Sequence, residues 1–273
     1  MYTDINMASI HDTETYLSRM SKPLAEKLKI VKFFPENATN VLDVGCADGV
    51  VTIEMARMFP EIKFVGIDLN AEFIERARER AIGVPNISFE CVYLREMLSR
   101  QVRFDGVTFC SVLHEFASYG EGVSSVVKAL ADAHEILNKG GRVIIRDMIY
   151  SDYKKHSDLQ MQTVVEKIRA KDDLTPYIAD FEHRFGKLND IYTINHFLLK
   201  YRYTDNWERE GRENYVPVTF DQYEQIFDLL SMRVLYKDSL CLSYFHEIWK
   251  VDFGFTDEEM LQFRSTGIFV SEK

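Results

Sequence analysis

The chain has little that would tie it to a membrane, an oxidising compartment or a polyanion. No apolar run approaches the ~18 residues that a transmembrane helix requires. The first residues, Met-Tyr-Thr-Asp-Ile-Asn, lack the basic region and apolar stretch of a secretory signal. Cysteine is sparse, with four in 273 residues and no Cys-x-x-Cys pair. Cys46, Cys91 and Cys110 fall in or beside expected strands, where buried free thiols are the expectation. Positive charge is short as well: 33 Lys and Arg against 43 Asp and Glu give a formal charge of −10. That argues against a broad nucleic-acid or anionic-membrane footprint and leaves room for a local basic groove. A reducing, cytoplasmic setting is the expectation. Internal repeats and low-complexity segments are missing too. What is plentiful is core material, 46% hydrophobic and 13% aromatic, enough for one domain with an elaboration.

The pattern of the middle of the chain is strand, helix, strand. Strands are expected at about 40–45, 63–67, 87–92, 104–110 and 142–147, with helices at about 50–59, 71–81 and 122–137 between them. Such alternation implies a parallel sheet with right-handed crossovers. Upstream, residues 12–34 read as helical: Ser21 before Pro23 is a start signal, and Leu24, Leu28 and Val31 share a face. Downstream, the stretch after the fifth strand is helical and rich in aromatics. A helix at about 219–231 follows, and Met232–Tyr236 and Gly267–Val270 can form a final antiparallel pair. Residues 242–262 form a second small insertion. The fold class is therefore α/β: a doubly wound, mostly parallel seven-stranded sheet, helices on both faces, and a helical lid inserted after the fifth strand. The divisions are 1–37, an N-terminal helical cap; 38–150, a ligand-binding α/β core; 151–218, the lid; and 219–273, the helix and strand pair that complete the sheet.

One segment carries most of the functional signal. Val41-Leu-Asp-Val-Gly-Cys-Ala-Asp-Gly49 is a buried strand entering a glycine-bearing turn, and an apolar helix follows it. This arrangement lets a ligand approach the backbone at the carboxyl edge of an α/β sheet. Asp43 would repel a pyrophosphate and suits a cationic ligand. Asp68 ends the second strand 19 residues after Gly49, where an acid hydrogen-bonds ribose hydroxyls in doubly wound folds. The turn fails the Gly-x-Gly-x-x-Gly fingerprint of dinucleotide enzymes.

Four blocks occur in order: the turn at 41–49, Gly66-Ile-Asp-Leu-Asn70, Phe104-Asp-Gly-Val-Thr-Phe-Cys-Ser-Val-Leu-His-Glu-Phe116 and Leu137-Asn-Lys-Gly-Gly-Arg-Val-Ile-Ile-Arg-Asp147. Together they resemble the class I S-adenosylmethionine-dependent methyltransferases over roughly residues 38–150, with a looser fit beyond. The resemblance implies S-adenosyl-L-methionine as cofactor; with no clustered carboxylates at the mouth beyond Asp147, no metal is expected. Asp43, Gly45, Cys46 and Gly49 would line its methionine end, Asp68 would take the ribose, and Leu69 would lie against adenine. Ala47 replaces a glycine common in the family, so its methyl is tolerated if φ is negative. Many members carry an acid after the third strand; here the position falls near Val92 or Tyr93. Backbone groups and Tyr93 would then hold adenine, with Glu90 a substitute only if the register slips.

The chemistry of transfer is less marked. Ser111 and the following Val-Leu-His-Glu would sit beside the transferable methyl. His114 is the candidate general base, since an imidazole near its ordinary pKa accepts a proton at neutral pH; Glu115 would orient it or contact the acceptor. The alternative for His114 is a helix cap packed under the lid. Asp147 and Tyr150 point to the same mouth, Asp147 as an acceptor ligand or a lid anchor. Tyr16 and Arg19 could cover the cofactor, Arg19 pairing with its carboxylate. In the lid, Asn195, Tyr201, Arg202, Trp207, Arg209 and Arg212 could shape an acceptor pocket, although aromatics at helical spacing are more often core. The Asp/Asn-Pro-Pro-aromatic block of amino-methylating nucleic-acid enzymes, a Pro-Cys nucleophile, a Lys-Asp-Lys-Glu set and clustered mouth carboxylates are all missing. Three readings stand. The first is methyl transfer to an oxygen or nitrogen of a small or medium-sized acceptor. The second is an RNA- or nucleotide-directed methyltransferase. The third is a cofactor-binding module without chemistry. No membrane partner is expected, and the oligomeric state stays open.

Overall fold

The computed structural model describes residues 24–149 and 158–273. Tyr16, Arg19 and Tyr150, and most of the helix expected over 12–34, lie outside the described residues. Within them, α1 (Leu24–Lys27) continues as a 3₁₀ turn over Leu28–Phe33.

The strands are β1 (Asn40–Val44), β2 (Lys63–Asp68), β3 (Ile87–Cys91), β4 (Phe104–Cys110), β5 (Leu137–Asp147), β6 (Arg233–Leu240) and β7 (Thr266–Glu272). They form one sheet in the order β3-β2-β1-β4-β5-β7-β6. The first five are parallel, and β7 runs antiparallel to both its neighbours. Central strands covered by helices on both faces must be apolar on both sides. Val41, Leu42, Val107, Phe109, Val143 and Ile145 are accordingly buried without exception.

The connecting helices are α2 (Val50–Met58), α3 (Ala71–Arg80), α4 (Leu94–Leu98), α5 (Leu113–Tyr119) and α6 (Val123–Ile136). Asn70 caps α3 by accepting a hydrogen bond from the Phe73 backbone N–H at 3.1 Å. The sequence pattern does not reveal α4 or α5, which are one to two turns long, and it starts β5 five residues late.

Strand order reverses between β1 and β4, and at such a point the crevice above the carboxyl ends opens. The turn after β1 occupies it. The Gly45 and Cys46 N–H groups both donate to the Ile67 carbonyl, at 2.8 and 3.0 Å, which ties the turn to β2. Gly45 has φ +71°, and a Cβ there would lie 2.3 Å from Val112 Cγ2. Gly49, at φ +77°, would meet Phe89 at 2.6 Å. Ala47 also has a positive φ, +48°. The condition of a negative φ, under which the methyl would be tolerated without cost, is not met. The turn keeps its left-handed path because Asp68 Oδ2 accepts the Ala47 N–H at 2.9 Å, and the methyl is accommodated at a cost of roughly 1–2 kcal/mol.

After β5 comes a helical insertion: α7 (Asp158–Arg169), α8 (Thr175–Phe185), α9 (Ile191–Lys200) and α10 (Trp207–Glu210). Then α11 (Phe220–Leu229) returns to the sheet, capped by Thr219. The second insertion holds α12 (Ser243–Phe253) and α13 (Asp257–Met260). These two insertions share one apolar core, in which Phe181, Phe197, Trp249 and Phe263 are fully buried. The Trp249 indole N–H donates to the Leu198 carbonyl at 3.0 Å and joins α12 to α9. No helix among the described residues is long and apolar enough to cross a membrane.

Candidate active site

Two cavities flank the turn. The larger has about 850 Å³ of empty space, its open mouth included. Its apolar walls include Ile67, Leu69, Val92, Leu94, Val112 and Phe116. Its polar groups are Asp68, Tyr93, Arg95, Glu115, Tyr119 and Asp132. The smaller, about 380 Å³, is lined by Lys27, Asp43, Gly45 to Asp48, Val50, Val51 and Cys110. Gly45 lines both cavities, so the two share a wall at the turn.

Asp68 is held by two backbone N–H groups, from Ala47 and Asn70, each at 2.9 Å. This fixes the carboxyl at the cavity wall with lone pairs to spare, and burial raises its pKa. Asp43 is 2% exposed. The hydroxyls of Thr52 and Thr108 donate to its two oxygens at 2.6 and 2.7 Å, and burial raises its pKa as well. Asp48 pairs with Arg80 at 3.1 Å. Cys46 is buried beneath the turn, and its thiol is driven well up in pKa by desolvation, then by Asp68 and Asp43. A nucleoside with a cationic tail suits this arrangement: apolar walls and Asp68 on one side of Gly45, carboxylates on the other.

The residues expected to perform transfer are divided by the structure. His114 is buried at the start of α5 and lines neither cavity. Its Nδ1–H donates to Asp147 Oδ1 at 2.8 Å, while its backbone N–H donates to Asp147 Oδ2 at 3.2 Å. Burial favours the neutral ring, but the Asp147 carboxylate outweighs it and holds the imidazolium up to about 9. The ring is thus turned to Asp147, which favours its protonated form, and not to either cavity, so the geometry does not bring it to the position of a general base. Asp147 also accepts the Met148 N–H at 2.8 Å and so clamps the end of β5 to α5; it lines neither cavity.

Glu115, the next residue, does line the larger cavity. Burial and then the neighbouring Glu213 carboxylate raise its carboxyl to about 7, against the opposing charges of His114 and Arg209. Arg209 lies 3.5 Å from Glu115 and 3.0 Å from Glu213, and Tyr119 donates to Glu213. The insertion therefore docks on α5 through a buried charged cluster.

Ser111 leaves β4 in the left-handed region, φ +60°. Its N–H donates to the Arg146 carbonyl at 2.6 Å and its hydroxyl accepts from Arg146 Nη1 at 2.8 Å; it lines neither cavity. Asn195 is buried and accepts the Arg264 N–H at 2.8 Å. Tyr201 donates to Asp252 at 2.5 Å, Arg202 lies 4.0 Å from Asp252, and Trp207 donates to Asp180 at 2.9 Å. These four are tied up within the fused insertions and are not among the cavity walls. Leu69 and Tyr93 are. Glu90 pairs with Arg100, in unshifted register between β2 and β3, and is not among the cavity walls, whereas Asp132 of α6 is.

Sequence reasoning missed Lys27, Arg95, Tyr119 and Asp132 as cavity residues. A lysine, arginine or aspartate on an amphipathic helix reads as a solvated face; the packing buries Lys27 and sets Asp132 and the exposed Arg95 at the cavity rim. Val112 and Phe116 were visible as apolar residues of the block after β4.

A family model described as a methyltransferase domain matches residues 35–199. Ribosomal RNA small subunit methyltransferase G of Stutzerimonas stutzeri (strain A1501) is 31% identical over 117 residues, 42% of this chain and 53% of that protein. A malonyl-[acyl-carrier protein] O-methyltransferase 1 of Ilyobacter polytropus is 28% identical over 87 residues, 31% of this chain and 32% of that protein. The chain thus spans about half, or less, of the length of these curated relatives. Among solved structures, the N-methyltransferase NodS from Bradyrhizobium japonicum WM9, in complex with S-adenosyl-l-homocysteine, superposes with TM-score 0.51 at 14% identity, covering 93% of this chain and 90% of that one. An O-methyltransferase family protein from Burkholderia thailandensis gives 0.54 at 12% identity, over 96% of this chain and 60% of that one. With a family match over more than half its length, the strand order and the glycine turn between two cavities, this chain belongs to the methyltransferase domain family, class I, whose methyl donor is S-adenosyl-L-methionine.

Proposed function

We propose that the protein transfers a methyl group to an oxygen or nitrogen of a small or medium-sized acceptor, with Glu115 as the proton acceptor. When bound, the donor supplies an electrophilic methyl group on a sulfonium, so the protein has to hold, orient and deprotonate. Asp68 would take the ribose hydroxyls, with adenine between Leu69, Val92, Tyr93 and Phe116. The observation that carries the proposal is the position of Glu115: a carboxyl poised near neutral pH, on the wall of the cavity that holds Asp68. Such a group has the basicity that proton transfer at pH 7 asks for. His114, ionised by Asp147, serves to position the start of α5.

The sequence relative that acts on ribosomal RNA keeps the RNA-directed reading in view. The charges weigh against it. Asp68, Glu115 and Asp132 face the cavity with Arg95 alone as counter-charge among its lining residues. In the insertion, Arg209 is buried among carboxylates, Arg212 pairs with Glu208 at 3.0 Å and Arg202 lies beside Asp252. A phosphate backbone would have to displace these partners.

The test pairs a labelled donor with cell extract and asks whether label follows the dialysable, nuclease-sensitive or protease-sensitive fraction. Label in nuclease-sensitive material sinks the small-acceptor reading. Glu115→Gln should lower kcat by about 10²-fold or more. Because the base works as the carboxylate, wild-type kcat should rise as pH rises through about 7, and that limb should vanish in the variant. A variant with wild-type kcat and an unchanged profile would rule Glu115 out.

A further inference from the structure

The stretch from Arg209 to Tyr215 is held by α9 on one side and by α5 on the other. On the α9 side, the buried ammonium of Lys200 donates to the carbonyls of Glu210 and Glu213, and the Tyr215 N–H donates to His196 Nε2 at 3.1 Å. On the α5 side, the Asn214 N–H donates to the Ser118 hydroxyl at 2.8 Å, and the Tyr119 hydroxyl donates to the Glu213 carboxylate. Between these anchors stand two opposite charges, Arg209 at 5% and Glu213 at 3% exposure. They are four residues apart and share a face, and the Arg209 Nε–H donates to Glu213 at 3.0 Å. The same guanidinium comes within 3.5 Å of Glu115 on the cavity wall. Among the described residues, the other titratable groups around Glu115 are His114 and Tyr119 on its own helix, Asp68 of β2, Arg95 of α4 and Asp132 of α6. Charges this close move the pKa of a carboxyl by roughly 1–3, Glu213 upward and Arg209 downward.

We propose that Arg209 and Glu213 are positioning residues for Glu115, the insertion supplying the two opposite charges that hold this carboxyl on the cavity wall and ready it for proton transfer. The proposal rests on the reading of Glu115 as the proton acceptor. It divides the labour between the parts of the chain. The α/β core carries the cavity and the carboxyl, while the basicity of that carboxyl is set by an element inserted after the fifth strand.

Carbon NMR of the full chain, labelled at its glutamate carboxyls, tests this without knowledge of the acceptor. The Glu115 signal is the one missing from Glu115→Gln, and it should titrate at about 7 in the wild type. Glu213→Gln keeps the shape of the side chain and an acceptor for Tyr119 but removes the like charge, so the midpoint should fall by about 1 or more. Arg209→Gln removes the opposite charge, so the midpoint should rise by about 1 or more. Arg209→Lys should bring it back towards the wild-type value. Calorimetric binding of S-adenosylhomocysteine within about twofold of wild type reports that a variant is folded. Shifts in opposite directions in the two glutamine variants support the proposal, since a purely structural role does not produce them. Unmoved midpoints, or shifts of the same sign, overturn it, and so does loss of S-adenosylhomocysteine binding in both glutamine variants. If the midpoints stay put while Glu115→Gln loses the kcat limb, this inference fails alone. If Glu115→Gln keeps the wild-type kcat and profile, the reading of Glu115 as the base fails, and the assignment of positioning residues falls with it.

Discussion

Ala47 occupies a backbone conformation that favours glycine, in the turn on which both cavities depend. Its N–H is committed to Asp68, so relaxing φ would release the carboxyl that faces the larger cavity. Replacing Ala47 by glycine removes the Cβ penalty of roughly 1–2 kcal/mol. It also adds freedom to the unfolded chain, worth about 0.4–1 kcal/mol. The expected outcome is a gain of about 0.5–1 kcal/mol in urea unfolding, with the donor affinity unchanged. A loss of stability would show that the methyl makes favourable contacts that outweigh the strain. The neighbouring glycines are less forgiving, since a side chain at Gly45 would collide with Val112.

Between elements, the pair His114–Asp147 joins the beginning of α5 to the end of β5, and its contribution depends on pH. The imidazole pKa is raised from 6.5 to about 9 in the folded protein. A raised pKa stabilises fully below the unfolded value, and that stability is lost as pH rises through the folded one. Stability should therefore fall between about pH 6.5 and 9, by at most about 3.5 kcal/mol, since each pH step of one across that window is worth about 1.4 kcal/mol. Asp147→Asn should be less stable at pH 6 and flat across that window in denaturant titrations. A wild-type protein that is equally flat would refute the ion pair. At this scale the sequence was informative in proportion to repetition. Strands β1 to β5 announce themselves by apolar runs, and the turn by Gly45, Gly49 and the following helix. The short α4 and α5 span too few turns to show a period. The same limit hid the tasks of adjacent residues: His114 and Glu115 look interchangeable in the sequence, and only the direction of α5 sends one towards Asp147 and the other into the cavity. Asn195, Tyr201 and Trp207 suggested a pocket by composition, but their partners Arg264, Asp252 and Asp180 are distant in sequence or set by packing, and no local spacing foretells them.

At the scale of the molecule, the insertions have an apolar core of their own beside those on the faces of the sheet. Arg209 and Glu213 of the insertion link it to Glu115 and Tyr119 of α5. Strand β7 is the part on which the sheet depends most. It lies between β5 and β6, and its pairing with β5 joins Arg142 to Glu272 across 130 residues. Closing so long a loop costs entropy before any contact repays it, which slows the step. Pulse-labelled hydrogen exchange during refolding should therefore protect amides of β1 and β4 before those of β6 and β7; simultaneous protection would contradict this order. The consequence reaches the cell's synthesis of the protein. Strand β6 leaves the ribosome ahead of β7 but has no place in the sheet until β7 arrives, so the nascent chain carries an open edge at β5. A chaperone or an early stop would meet the molecule in that state, with the donor turn already formed and the sheet still unsealed.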